Sequence, residues 1–106
     1  DILSHPGLFF TVDIAEVAHA CGAKNVLFEI NCAHEHPDIS AIIEADRVGV
    51  DFIINSDAHF QESVGNLDYG VKLVEKLGIA PEQVANRCQG GGHKQWRKKR
   101  RNCIYL

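Results

Sequence analysis

The chain has 106 residues, 45% of them hydrophobic and 24% charged, with a formal net charge of −3. That is enough for one ordinary domain but too short for a closed eight-stranded α/β barrel, which takes about 250 residues. No apolar run approaches the roughly 20 residues that cross a bilayer, and the opening residues lack the basic-then-apolar order of a secretory signal, so a cytoplasmic domain with no membrane segment is expected.

Three short runs rich in β-branched or aromatic residues predict strands: Asp1–Ser4, Val26–Ile30 and Phe52–Asn55. A helical pattern follows each, so the order is β-α-β-α-β-α. In the first helix Ile14, Val17, Ala18 and Cys21 share a face. Asp13 and Glu16 have the spacing of a capping box, Val12 and Val17 that of a hydrophobic staple, and Gly22 stands where a left-handed stop is expected. The second helix is expected from Pro37 or Asp38 to Val48, with Ile39, Ile42 and Ile43 inward and Gly49 ending it. The third is expected over Leu67 to Leu77, with Leu67, Val71 and Val74 on one face and Gly78 as its stop. Pro81 suits the first position of a short helical turn over Glu82 to Asn86.

The mild net charge is a cancellation. Residues 1–86 carry all fourteen acids against four bases, a net −10, whereas residues 87–106 carry seven bases and no acid, a net +7. This predicts an acidic domain over 1–86 and a separate basic tail over 87–106. The tail begins with a joint at Gly90, Gly91 and Gly92, which is no phosphate loop because no G-K-S/T follows. The block from Lys94 to Arg101, with Trp96 to stack, suits nucleic acid. A disordered or non-native tail is the favoured reading, since blocks of like charge rarely fold. Cys21, Cys32, Cys88 and Cys103 form no C-x-x-C pair, which favours free thiols in a reducing compartment.

The strand ends near His5, Asn31 and Asp57 recur every 26 residues, as successive βα units would. Such units pair in parallel, so their C-terminal ends share one edge of the sheet, where α/β folds place ligands and catalytic groups. That edge collects Ser4, His5, Glu29, Asn31, Ser56, Asp57 and His59. Imidazole and carboxylate suit zinc, manganese and iron. Asp57 and His59 form a D-x-H pair which, at strand spacing, would face one way; a turn aspartate beside a surface histidine explains the same pattern. Pro6 biases His5 toward an extended backbone. Glu29 lies inside an apolar strand and needs a cation or donors, and a supporting role is favoured over direct ligation. His34 and His36 form an H-x-H step that could bind metal, although a solvated polar loop is favoured. His19 and His93 have no partner at useful spacing and are expected to be exposed.

Ser4-His5-Pro6-Gly7, then Leu27-Phe28-Glu29-Ile30-Asn31, then Asn55-Ser56-Asp57-Ala58-His59 with Val64-Gly65-Asn66 resembles the C-terminal part of PHP-domain proteins (polymerase and histidinol phosphatase superfamily), and most nearly the YcdX-like metal-dependent phosphatases. The resemblance covers about residues 1–86. It implies a distorted (βα)7 barrel, of which this α/β chain supplies three consecutive βα units, with a cluster of divalent metal ions at the strand ends, zinc or manganese, or iron. His5, Asp57 and His59 would be metal ligands, Glu29 and Asn31 would lie near the site, and Ser56 would orient its neighbours. The remaining ligands of the family align upstream of Asp1.

The chain departs from that pattern in a shorter loop after Asn31, which carries Cys32, His34 and His36, and in the glycine run that replaces a final helix. The implied chemistry is hydrolysis of a small phosphate monoester by metal-activated water. Alternatives are a PHP nuclease or polymerase-associated domain, or a non-catalytic α/β module with a nucleic-acid-binding tail.

Overall fold

The structure is a computed structural model and describes residues 1–87. Cys88, the glycine joint, His93, the basic block with Trp96, and Cys103 lie outside the described residues. The described residues fold as α/β, with a three-stranded parallel sheet in the order β1-β2-β3 and three α-helices. The strands are β1 (Ile2–Leu3), β2 (Leu27–Asn31) and β3 (Phe52–Asn55), and the helices are α1 (Ile14–Lys24), α2 (Ile39–Val48) and α3 (Asp68–Leu77). Among the described residues no helix is long and apolar enough to cross a membrane.

Strand alternation sorts the side chains into two layers. Phe28 and Ile30 of β2 and Phe52 and Ile54 of β3 join the main core with Ala18, Cys21, Ile42, Ala45, Leu73 and Val74 of the helices. The Phe28 and Phe52 rings meet edge to face at 5.9 Å. Leu27 and Ile53 lie in a separate small cluster with Ala85. Their parity is also that of Glu29, Asn31 and Asn55, so those polar residues lie on the face away from the main core. In register, Glu29 is paired with Ile53 and Asn31 with Asn55.

The helix starts follow from local chemistry. Asp13 accepts from the Glu16 amide at 2.9 Å and Asp38 from the Ala41 amide at 2.8 Å, each capping a helix start. Gly49 and Gly78 end α2 and α3 in the left-handed conformation, and Pro81 opens a 3-10 turn over Pro81–Gln83.

Three expectations are corrected. Gly22 does not stop α1: the helix continues to Lys24, and Asn25, at φ 52°, is the left-handed cap whose amide reaches the Cys21 and Gly22 carbonyls. Asn tolerates that region because its short polar side chain compensates locally. In α2, Ile39 and Ile43 are exposed, because Ala41, Ile42 and Ala45 form the buried stripe. In α3, Val71 is exposed and Leu73 is buried instead. Gly70 explains that rotation: a Cβ there would run into Ile54 Cγ2 and lie 3.1 Å from Cys32 Sγ, so the helix packs on β3 through its glycine.

The outer edge of β3 is covered by the chain after the last turn. Val84 bridges Phe52, the Ala85 amide donates to the Phe52 carbonyl at 2.8 Å, and the buried Asn86 side chain both accepts from and donates to the Ile54 backbone.

Candidate functional site

The C-terminal ends of the three strands meet around one buried carboxylate. Glu29, 4% exposed, points from β2 into the gap between the neighbouring strand ends. Its Oε2 accepts from Ser4 Oγ at 2.7 Å, from the His5 amide at 2.6 Å and from Asn31 Nδ2 at 3.4 Å. Its Oε1 accepts from Asn55 Nδ2 at 2.6 Å. Donors from all three strand ends therefore satisfy a group that would be costly to bury bare.

His5 is half-buried and is not extended as Pro6 predicts: its φ is 27°, in the left-handed region. Capture of its amide by Glu29, and a turn in which the Leu8 amide donates to the His5 carbonyl at 3.1 Å, override the local bias. Asp57 also has positive φ, at 47°, and follows the end of β3. The D-x-H pair is thus held by a turn and not by strand alternation. The Asp57 carbonyl accepts from His59 Nδ1 at 2.8 Å. A carbonyl can only accept, so Nδ1 carries a proton, and in the neutral ring Nε2 keeps the lone pair that a metal would use.

Asn31, fully buried, uses all of its amide. Nδ2 donates to Glu29 and, at 2.9 Å, to Asp57 Oδ2, while Oδ1 accepts from the His34 amide at 3.0 Å. The reverse orientation would set a carbonyl against two carboxylates, which fixes the assignment. The Asn31 bond is the largest influence holding the Asp57 carboxyl below the ordinary carboxylate range, with the nearby imidazoles pulling the same way.

His34 and His36 are not merely a solvated loop. Reciprocal backbone bonds between Asn31 and His36, at 2.8 and 3.1 Å, close the loop at its base, and Tyr69 Oη donates to the Glu35 carbonyl at 3.3 Å. His34, although exposed, has Nε2 at 3.3 Å from Asp57 Oδ2, and its ring centroid is 6.0 Å from His5 and 6.5 Å from His59. His36 turns the other way, its Nε2 donating to the Pro6 carbonyl at 3.0 Å, and so braces the loop that carries His5.

Ser56 is half-buried and makes no side-chain hydrogen bond among the described residues. Cys32 adjoins the site, but burial pushes its thiol up, which disfavours the reactive thiolate. His19 is exposed.

The edge thus brings together His5, His34, Asp57 and His59, supported by Glu29, Asn31 and Asn55. Among the described residues no three His, Cys, Asp or Glu side chains stand close enough to enclose an ion by themselves. In donor chemistry the set does fit a divalent transition metal, with imidazole nitrogen and carboxylate oxygen on one edge and His59 in the required tautomer. Sequence reasoning missed Asn55 as the partner of Glu29. Its signal was strand parity, two residues before Asp57 and opposite Asn31.

The chain is similar to several curated proteins named probable phosphatase. It is 30% identical over 96 residues to one from Shewanella piezotolerans, covering 82% of this chain and 39% of that protein. One from Aliivibrio fischeri is 32% identical over 94 residues, covering 79% of this chain and 38% of that protein. Another, from Clostridium acetobutylicum, is 30% identical over 95 residues, covering 81% and 39%. The chain therefore spans about two fifths of the length of these curated relatives. No family model and no solved structure matches it.

Proposed function

We propose that the chain is the C-terminal part of a PHP-type barrel of the YcdX-like branch, a cytoplasmic phosphoesterase that hydrolyses a small phosphate monoester with the help of divalent metal ions. The carrying observation is the convergence of His5, Asp57 and His59 on one sheet edge, with His34 between the imidazoles. Similarity to longer proteins named probable phosphatase supports the reaction class.

His5, Asp57 and His59 would hold the metal, zinc or manganese, or iron, with further ligands from chain preceding Asp1. Bound divalent ions supply hydroxide near neutral pH and neutralise charge on phosphoryl oxygens. The residues of this chain do the placing. Asn31 aims the Asp57 carboxylate, and the Asp57 carbonyl sets the His59 tautomer. The net −10 of residues 1–86 repels a phosphate dianion unless cations intervene, which suits a site that works only when loaded.

Metal analysis of the complete protein, with assays of a small phosphomonoester and of single-stranded DNA, tests the reading. Bound metal and hydrolysis of the monoester are expected. His59→Ala should lower kcat/KM by more than the roughly 10–100-fold that loss of a supporting residue costs at a metal site. Absence of metal together with unchanged turnover of the variant overturns the reading, and preferential cleavage of DNA turns it into a nuclease.

A further inference from the structure

The Glu29 carboxylate reaches every strand end of the sheet, and we propose that it is the positioning residue that assembles the ligand cluster without touching the metal. This rests on the metal-site reading above.

A carboxylate offers about four acceptor positions, and Glu29 receives four donors: Ser4 Oγ, the His5 amide, Asn31 Nδ2 and Asn55 Nδ2. Three of them crowd Oε2 and Asn55 holds Oε1, so all three strand ends share one carboxylate that, at 4% exposed, lies beneath the His5 and Asp57 side chains' edge with little surface left for an ion. What the carboxylate does instead is set geometry. Its bond to the His5 amide is one of the two shortest it makes, at 2.6 Å, and it falls on a residue whose φ of 27° is unfavourable for a side chain bearing Cβ. The direction of the His5 ring thus depends on an acceptor 24 residues away in sequence. Through Asn31 the same carboxylate is one step from the Asp57 side chain and from the His34 amide. Asn55, the remaining donor, ties the assembly to β3.

Two uncharged variants of similar size separate positioning from ligation. Glu29→Gln keeps an acceptor for Ser4 and His5, and its new amide hydrogens can be met by Asn55 if that side chain turns its oxygen inward. Glu29→Leu keeps no acceptor. The complete protein and both variants are titrated with Mn²⁺ by calorimetry, with the folded fraction followed by circular dichroism. Glu29→Gln is expected to bind Mn²⁺ within about threefold of the parent, and Glu29→Leu roughly 10–100-fold more weakly while still folded. If Glu29→Leu does not fold, Asn55→Ala decides, since it removes one tether and leaves the carboxylate; a loss of affinity of about tenfold is expected at the lower end of the same range.

Equal loss in Gln and Leu variants overturns the proposal, because it makes the charge itself a ligand. Unchanged affinity in the Leu variant, or in Asn55→Ala where that decides, overturns it too. If the complete protein binds no Mn²⁺, the metal-site reading falls and the proposal with it, an outcome distinct from binding that ignores Glu29.

Discussion

Asn31 Nδ2 donates to Asp57 Oδ2 at 2.9 Å, joining the last residue of β2 to the turn after β3. Because the Asn31 side chain also serves Glu29 and the His34 amide, its removal leaves three polar groups short of a partner. Asn31→Ala should cost about 1–3 kcal/mol. Asn31→Asp should cost more at pH 7, because it sets a third carboxylate beside Glu29 and Asp57. The new Asp would have a raised folded pKa, so its destabilisation grows as pH rises above the unfolded value of about 3.9 and shrinks as pH falls. Urea unfolding at pH 7 and pH 4.5 checks this: the gap between the two variants should narrow at the lower pH, and a gap that widens contradicts the arrangement.

Two helical glycines should respond in opposite senses. Gly22 sits inside α1 with open space where a Cβ would go, so Gly22→Ala should stabilise by about 0.5–1 kcal/mol. Gly70 packs α3 against Ile54 and Cys32, so Gly70→Ala should destabilise by about 1–3 kcal/mol despite its better helix propensity. Thermal unfolding of both variants beside the parent measures the two signs, and a stabilised Gly70→Ala would mean that α3 does not approach β3 through its glycine.

The strands and helix starts were legible because local sequence decides them. Phe52 to Asn55 is an apolar run between turn residues, and Asp13 and Asp38 cap the helices they precede. The misreadings have long-range causes or rest on local ambiguity. The φ of His5 answers to Glu29, 24 residues away, and no window around Pro6 contains that partner. Likewise the α3 stripe is turned by the contact of Gly70 with β3, which periodicity within the helix does not encode. Gly22 and Asn25 are both credible helix stops, and only the continuation of the α1 backbone separates them. The shared edge of His5, Asp57 and His59 was legible from topology, since parallel strand ends lie side by side. The place of His34 required the closed loop between Asn31 and His36.

The cap of α2 gives a pH test away from the cluster. Asp38 Oδ1 accepts from the Ala41 amide at 2.8 Å and from Ser40 Oγ at 2.7 Å, and these bonds, the amide first, hold its carboxyl below the ordinary carboxylate range. A depressed folded pKa stabilises above the unfolded value and loses that contribution as pH falls through the folded one. Asp38→Ala should cost about 1 kcal/mol at pH 7. Asp38→Asn keeps the acceptor and has no titration, so it should retain most of the stability while flattening the acid-side fall below about pH 4. Urea midpoints between pH 3 and pH 7 report both effects, and an unchanged acid slope in Asp38→Asn would remove Asp38 from the source of that fall.

Asn86 finishes the sheet by imitating a peptide group. Its Oδ1 accepts from the Ile54 amide at 3.2 Å and its Nδ2 donates to the Ile54 carbonyl at 2.7 Å, the pair of bonds that a neighbouring strand would otherwise make. The side chain is 7% exposed, so water has little access to take its place. Asn86→Ala leaves a buried donor and a buried acceptor unsatisfied on β3, at roughly 2–4 kcal/mol for the pair. Because β3 leads directly into Ser56 and Asp57, loosening should spread toward the site. Amide hydrogen exchange measures this residue by residue: the Ile54 amide should lose protection first in Asn86→Ala, with Asn55 following, while Phe28, near the start of the neighbouring strand β2, changes by no more than the global loss of stability. Unaltered exchange at Ile54 would show that another group covers the edge.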